Sequence, residues 1–261
     1  MAHALQHKWG IHSCAFDRQC ALGNVCAKAL RAFINYMDAL PPQHPPCRMQ
    51  ATRIIAIRHG ETAWNVDARI QGHLDIPLND IGLSQARRAG AALAGERLAA
   101  IYSSDLARAQ TTAQAVADTT GAPLILDSSL RERCFGDFQG RTFKEVEAEL
   151  PELALRWRKR DPDFAPPGSG ESLNMLKSRI QHTVDRLASQ HMGEQITIVA
   201  HGGVLDVLYR LATHQDLLAP RTWELANAAI NRLLWTPEGL TLVGWGDVQH
   251  LESNTRDELY S

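Results

Sequence analysis

Residues 54–60 read IIAIRHG and residues 196–202 read ITIVAHG. Each is a short, β-branched apolar run that ends in a histidine followed by glycine, the pattern of a strand buried on both faces of a parallel sheet. The surrounding sequence alternates the same way, with strands predicted over Arg53–Ile57, Ala99–Ser104, Pro123–Leu126 and Gln195–Ala200. Helical spacing predicts helices over Ile81–Leu98, Leu106–Thr119, 141–160, 171–190 and Gly203–Leu211, with a Pro- and Gly-containing break at Asp161–Gly170. Near the end, Ala229–Trp235 and Leu240–Trp245 flank Pro237, Glu238 and Gly239 and read as a hairpin. Strands alternating with helices predict an α/β fold of three layers, a mostly parallel central sheet with helices on both faces.

Residues 1–50 are unlike the remainder. Leu22, Val25, Cys26, Ala29, Leu30, Phe33, Ile34, Met37 and Leu40 recur at helical spacing before Pro41, Pro42, Pro45 and Pro46 stop the pattern. This stretch reads as an N-terminal extension, a short amphipathic helix and a stiff linker, dispensable to the domain at 51–261. A docking helix, or a metal site built from His3, His7, His12 and the cysteines, is the alternative, although no zinc-like pairing of ligands is present. Four of the five cysteines lie in this extension and only Cys134 lies beyond it, which does not resemble a secreted disulfide framework and fits a reducing cytoplasm. The formal charge of -2, from 27 basic and 29 acidic side chains, argues against nucleic acid as a partner. No apolar run approaches the roughly 20 residues that span a bilayer. A small molecule is therefore the expected partner, with a homodimer left open.

In an open α/β sheet ligands sit beyond the carboxyl ends of the strands, where the strand order reverses. His59 and His201 both end strands, so they can meet at one crevice, and the glycine after each lets backbone approach a ligand closely. Arg58 precedes His59, and Arg108 lies in SSDLARAQTTA at the start of the next helix. Guanidinium forks match phosphate oxygens. Alone, each histidine reads as a structural residue and each arginine as a surface charge; together they read as an anion clamp.

The segments RHGETAWN (58–65), SSDLARAQTTA (103–113), LRERCFGDFQG (130–140) and AHGG (200–203) occur in this order. They resemble the histidine phosphatase superfamily, whose best-known branch is the phosphoglycerate mutases. By that resemblance His59 is the nucleophile that takes the phosphoryl group, and Arg58, Arg108 and His201 hold the phosphate oxygens with Asn65 completing the pocket. Glu132 is the general acid and base; its alternative is a salt bridge with Arg131 or Arg133. Residues 70–78, IQGHLDIPL, form the rim, so Gln71 and Gly72 join Gly202 among the substrate contacts, and about 133–175 form a small helical cap. No metal and no cofactor is implied, since two arginines and a protonated His201 supply the positive charge that phosphoryl transfer needs.

The chain between Glu132 and His201 is short beside that of the glycolytic mutases. A smaller cap favours water at the site, so the resemblance points to the broad-specificity phosphatase branch and to hydrolysis of small phosphate monoesters. A mutase that moves phosphate between hydroxyls, and a noncatalytic phosphate-binding module, are the alternatives. In the cap, Arg156, Arg158, Lys159 and Arg160 read as a solvated helix face or as an attractor for a second anionic group. Phe135, Phe138, Trp157 and Phe164 read as core or as the lining of the mouth, and Ser172 is placed near the substrate.

Overall fold

A computed structural model describes residues 51–252 of the 261-residue chain, and these lie within one compact unit. The expectations for residues 1–50, including the helix, the linker and the alternative metal site, fall outside the described residues. A six-stranded sheet has the spatial order β3-β2-β4-β1-β5-β6. In chain order these strands are β1 (Thr52–Arg58), β2 (Ala100–Ser103), β3 (Leu124–Leu126), β4 (Gln195–Ala200), β5 (Ile230–Thr236) and β6 (Gly239–Asp247). The first four run parallel, and β5 and β6 form the terminal antiparallel hairpin.

The alternation of side chains along each strand sends two apolar sets to opposite faces. Ile54 and Ala56 of β1 join Ile196, Ile198 and Ala200 of β4 on one face, where α6 (Leu173–Ser189) and α7 (Gly202–Thr213) cover them. Ile55 and Ile57 lie on the other face with Ile101 and Val199, beneath α2 (Asp80–Ala92) and α3 (Ala107–Thr120). All four isoleucines named in β1 and β2 are at most 1% exposed, each contributing about 1.5–3 kcal/mol through burial. The sheet is mixed and mostly parallel, between two helical layers.

A short α1 (Ala63–Val66) follows β1. The cap contains α4 (Phe143–Glu149) and α5 (Pro151–Arg158) where the sequence pattern predicts one helix over 141–160. Pro151 explains the break: it starts α5 at the first helical position and forces Leu150 out of the helical region, to φ -134° and ψ 61°. The cap has its own small core of Phe138, Val146, Ala154 and Phe164. Phe138 and Phe164 are thus core residues, whereas Phe135 and Trp157 line a cleft beside the sheet. The α2 helix also ends six residues earlier than the alanine-rich pattern suggests, and Leu93 turns into the core at 0% exposure.

Candidate active site

The parallel pairing of β1 and β4 places Ile54 opposite Ile196 and Arg58 opposite Ala200, so the two quoted heptapeptides lie in register along their whole length. His59 and His201 therefore leave the sheet side by side, with the His59 N–H donating to Ala200 O at 2.9 Å and the two rings 5.1 Å apart between centroids. Their burial is nearly complete, at 3% and 0% exposure. His59 Nδ1 lies 2.7 Å from Gly60 O. A carbonyl can only accept, so Nδ1 carries the proton and the lone pair sits on Nε2. Burial, Arg58 and Arg108 hold His59 well below the usual imidazole range, and it is neutral in the free protein.

Arg108 enters from the first turn of α3 and is 1% exposed. Its Nη1 donates to Leu74 O at 2.9 Å and its Nη2 to Gly72 O at 2.8 Å. Gly72 has φ +53°, and a Cβ there would lie 2.1 Å from Gln139 Oε1, so this carbonyl can be aimed at Arg108 because the residue is glycine. Arg58 donates through Nη1 to Leu225 O. Burial draws both guanidiniums below their ordinary pKa, Arg108 to about 10, which leaves each charged at neutral pH.

Arg58 Nε, Arg108 Nε and both ring nitrogens of His201 are buried without a hydrogen-bond partner among the described residues. Buried polar groups are seldom left so, and three side chains converging on the His59 ring share one explanation: an oxyanion that accepts from all of them. Burial and the neighbouring His59, Arg108, Arg58 and His73 hold His201 well below the usual imidazole range, so it is neutral until an arriving anion reverses the local field.

Glu132 pairs with neither neighbour. Arg131 turns to Asp105, with contacts of 2.6 and 2.7 Å, and Arg133 donates to Glu171 O and Phe164 O. The Glu132 carboxylate accepts instead from Arg133 N at 2.8 Å and from Gly203 N, in the first turn of α7, at 3.0 and 3.1 Å. A Cβ on Gly203 would lie 2.3 Å from Glu132 Oε1. The positive end of α7 thus holds the carboxylate beside Gly202, whose own Cβ position is 3.6 Å from Arg58 Nε.

Asn65 is partly committed: its Oδ1 accepts from Thr62 N at 3.1 Å in a capping box that starts α1. Gln71 is 9% exposed with Oε1 unpartnered, and Ser172 caps α6 through Met175 N, which turns it from the cleft. Sequence spacing missed Asn227 and Arg179 and gave His73 no role beyond membership of the rim. Asn227 donates to His59 O at 2.9 Å, His73 Nε2 lies 2.8 Å from Glu132 O, and Arg179 donates to Glu132 O at 3.3 Å while gripping Glu171. All act on backbone far away in sequence. No group of His, Cys, Asp and Glu suited to holding a metal occurs among the described residues, and none of their helices is long and apolar enough to cross a membrane.

The profile of the histidine phosphatase superfamily (branch 1) matches residues 54–248. The chain is 41% identical over 202 residues to phosphoglycerate mutase-like protein 4 of Arabidopsis thaliana, covering 76% of this chain and 86% of that one. It is 37% identical over 206 residues to a metal-independent phosphoserine phosphatase of the same plant, covering 78% and 85%. Among solved structures, YhfR of Bacillus stearothermophilus superposes with a TM-score of 0.72 at 32% identity, covering 77% of this chain and 100% of that one.

Proposed function

The chain belongs to branch 1 of the histidine phosphatase superfamily and is a phosphomonoesterase of that family, and we propose that it hydrolyses small phosphate monoesters through a phosphohistidine on His59. One observation carries the reading: the unpartnered Arg58 Nε, Arg108 Nε and His201 nitrogens surround a histidine whose Nδ1–H is fixed on Gly60 O. In the first step His59 Nε2 attacks phosphorus, the bond to the ester oxygen breaks, and the Glu132 carboxyl protonates the leaving alkoxide. In the second, the Glu132 carboxylate takes a proton from water as its oxygen attacks phosphorus, and the P–N bond breaks to restore His59. Arg58 and Arg108 neutralise the equatorial oxygens throughout, the task a metal performs elsewhere. The name of the phosphoserine phosphatase relative supports metal independence.

The cap supports hydrolysis over phosphoryl transfer between hydroxyls. Two short helices leave Arg58 and Gly203 on the wall of a hollow that also reaches the exposed Arg221, a route for water. A cytoplasmic setting belongs to the same reading, supported by the scarcity of cysteine beyond residue 50, where Cys134 stands alone. The decisive experiment measures steady release of inorganic phosphate from a panel of small esters, beside conversion of 3-phosphoglycerate to 2-phosphoglycerate with added bisphosphoglycerate. Multiple-turnover phosphate release is expected. Isomerisation without net release would overturn hydrolysis in favour of a mutase, and neither activity would leave a binding module.

A further inference from the structure

Glu132 stands in a stretch without regular structure: residues 131–135 belong to no helix or strand. Backbone carbonyls in such a stretch need partners from elsewhere, and here one side chain supplies most of them. Arg179, in the second turn of α6, donates through Nη1 to Ser129 O at 2.7 Å and to Arg131 O at 3.0 Å, and through Nη2 to Glu132 O at 3.3 Å. The same guanidinium closes on Glu171 in two parallel bonds, Nε to Oε1 at 2.8 Å and Nη2 to Oε2 at 2.7 Å.

Glu171 is itself tied to the stretch it faces. Its N–H donates to Cys134 O at 2.8 Å, and its carbonyl accepts from Arg133 Nε at 2.7 Å. The Arg179 and Glu171 side chains are only 25% and 12% exposed, so the cost of desolvating the charges offsets much of their attraction. What the bidentate pair fixes is the plane of the guanidinium, and with it the direction of the N–H groups that reach the carbonyls. Helix α6 is anchored independently, through Leu176, Ile180, Val184 and Leu187 in the core against the sheet. Arg179 therefore projects from a rigid element onto an irregular one.

Glu132 is held by two sets of bonds with different tasks. Gly203 N and Arg133 N aim the carboxylate, whereas Arg179 and His73 bind the carbonyl and set the backbone from which it is aimed. We propose that Arg179, locked by Glu171, is a positioning residue for the general acid, placing the Glu132 backbone so that its carboxylate meets the departing oxygen. Arg179 acts through Glu132 alone, and its influence falls on the steps in which that carboxyl moves a proton. The inference rests on the reading of Glu132 as general acid and extends it to the residues that hold it.

The test measures kcat/KM for phosphate release from propyl phosphate and from para-nitrophenyl phosphate in the native protein, Arg179→Lys, Arg179→Gln, Glu132→Gln and Arg232→Gln. This quantity reports events up to departure of the leaving group, where the alkoxide needs a proton and the nitrophenolate needs little. In Arg179→Gln the propyl-to-nitrophenyl ratio should fall by about tenfold, less than the roughly hundredfold of a full ångström's misplacement because Gly203 N still holds the carboxylate. Lysine keeps the charge opposite Glu171 but has no planar fork to serve three carbonyls at once, so Arg179→Lys should fall similarly. Arg232→Gln, which breaks the partly exposed pair of β5 with Glu96, should keep the native ratio. Because each ratio is taken within one protein, a smaller folded fraction cancels, and a purely structural role would lower both esters alike. Native ratios in both Arg179 variants, with Glu132→Gln still selective against the propyl ester, would overturn the positioning role and leave the general acid standing. Full recovery in Arg179→Lys would also overturn it, since charge without the fork would then suffice. A native ratio in Glu132→Gln would instead remove the general acid, and the positioning role with it.

Discussion

Replacing Gly203 with alanine separates catalysis from stability at a single methyl group. The new Cβ would stand 2.3 Å from Glu132 Oε1, well inside van der Waals contact, so the half-buried carboxylate must move by about 1 Å. It then loses its paired contacts of 3.0 and 3.1 Å to Gly203 N. Misplacement on this scale costs roughly a hundredfold, within the 10²–10⁴-fold that a general acid supplies. The backbone has the opposite preference. Gly203 lies in α7 without a left-handed φ, so alanine there favours the helix by about 0.5–1 kcal/mol. Gly203→Ala should therefore match or exceed the native protein in Tm by circular dichroism. Its kcat on alkyl phosphates should fall about a hundredfold and that on aryl phosphates, whose leaving group needs little protonation, far less. Native kcat on an alkyl ester in the folded variant would refute the placement of Glu132 as general acid.

Arg108→Lys keeps the charge but cannot bond Leu74 O and Gly72 O while presenting a further N–H to phosphate, so kcat should fall by roughly tenfold to a thousandfold; native turnover would reduce the arginine to a structural strut. His59 and His201 are both depressed in the folded state, so the unfolded chain binds more protons below about pH 6.5 and folding stability is lost as the pH falls through that value. The loss is read as a urea midpoint that falls with pH below about 6.5; a midpoint equally flat in the native protein and in His59→Gln/His201→Gln would contradict their burial as neutral rings. Incubation with EDTA should leave phosphate release intact, and loss restored specifically by zinc or magnesium would reassign the charge compensation from the arginines to a metal.

The central strands were legible because burial on both faces selects unbroken β-branched runs, and the shared ending of two of them anticipated that their histidines meet, although not that the strands pair in register. Nearest-neighbour chemistry also read correctly at Pro237–Gly239, where β5 turns into β6. Other features depend on contacts that no local spacing encodes. The cap splits at Leu150 although its apolar pattern runs through, because a proline at the first position of a helix also ends the one before it. Glu132 sits between two arginines in sequence, yet both are drawn away by Asp105, Phe164 and Glu171, and its orientation comes from Gly203, His73 and Arg179, 47 to 71 residues distant. The protonation of His201 is set in the same way, by burial and by His59, Arg108 and Arg58 in three dimensions.

The covalent step tests the account most directly. Substrate carrying radioactive phosphate, mixed with the protein and quenched in alkali within the first turnovers, should leave label that survives alkali and is lost in acid, as a phosphoramidate is. Peptide mapping should place it on His59, with His59→Ala unlabelled and His201→Ala labelled more slowly. Label that persists in His59→Ala, or that resists acid as a phosphoserine does, would contradict His59 as the nucleophile.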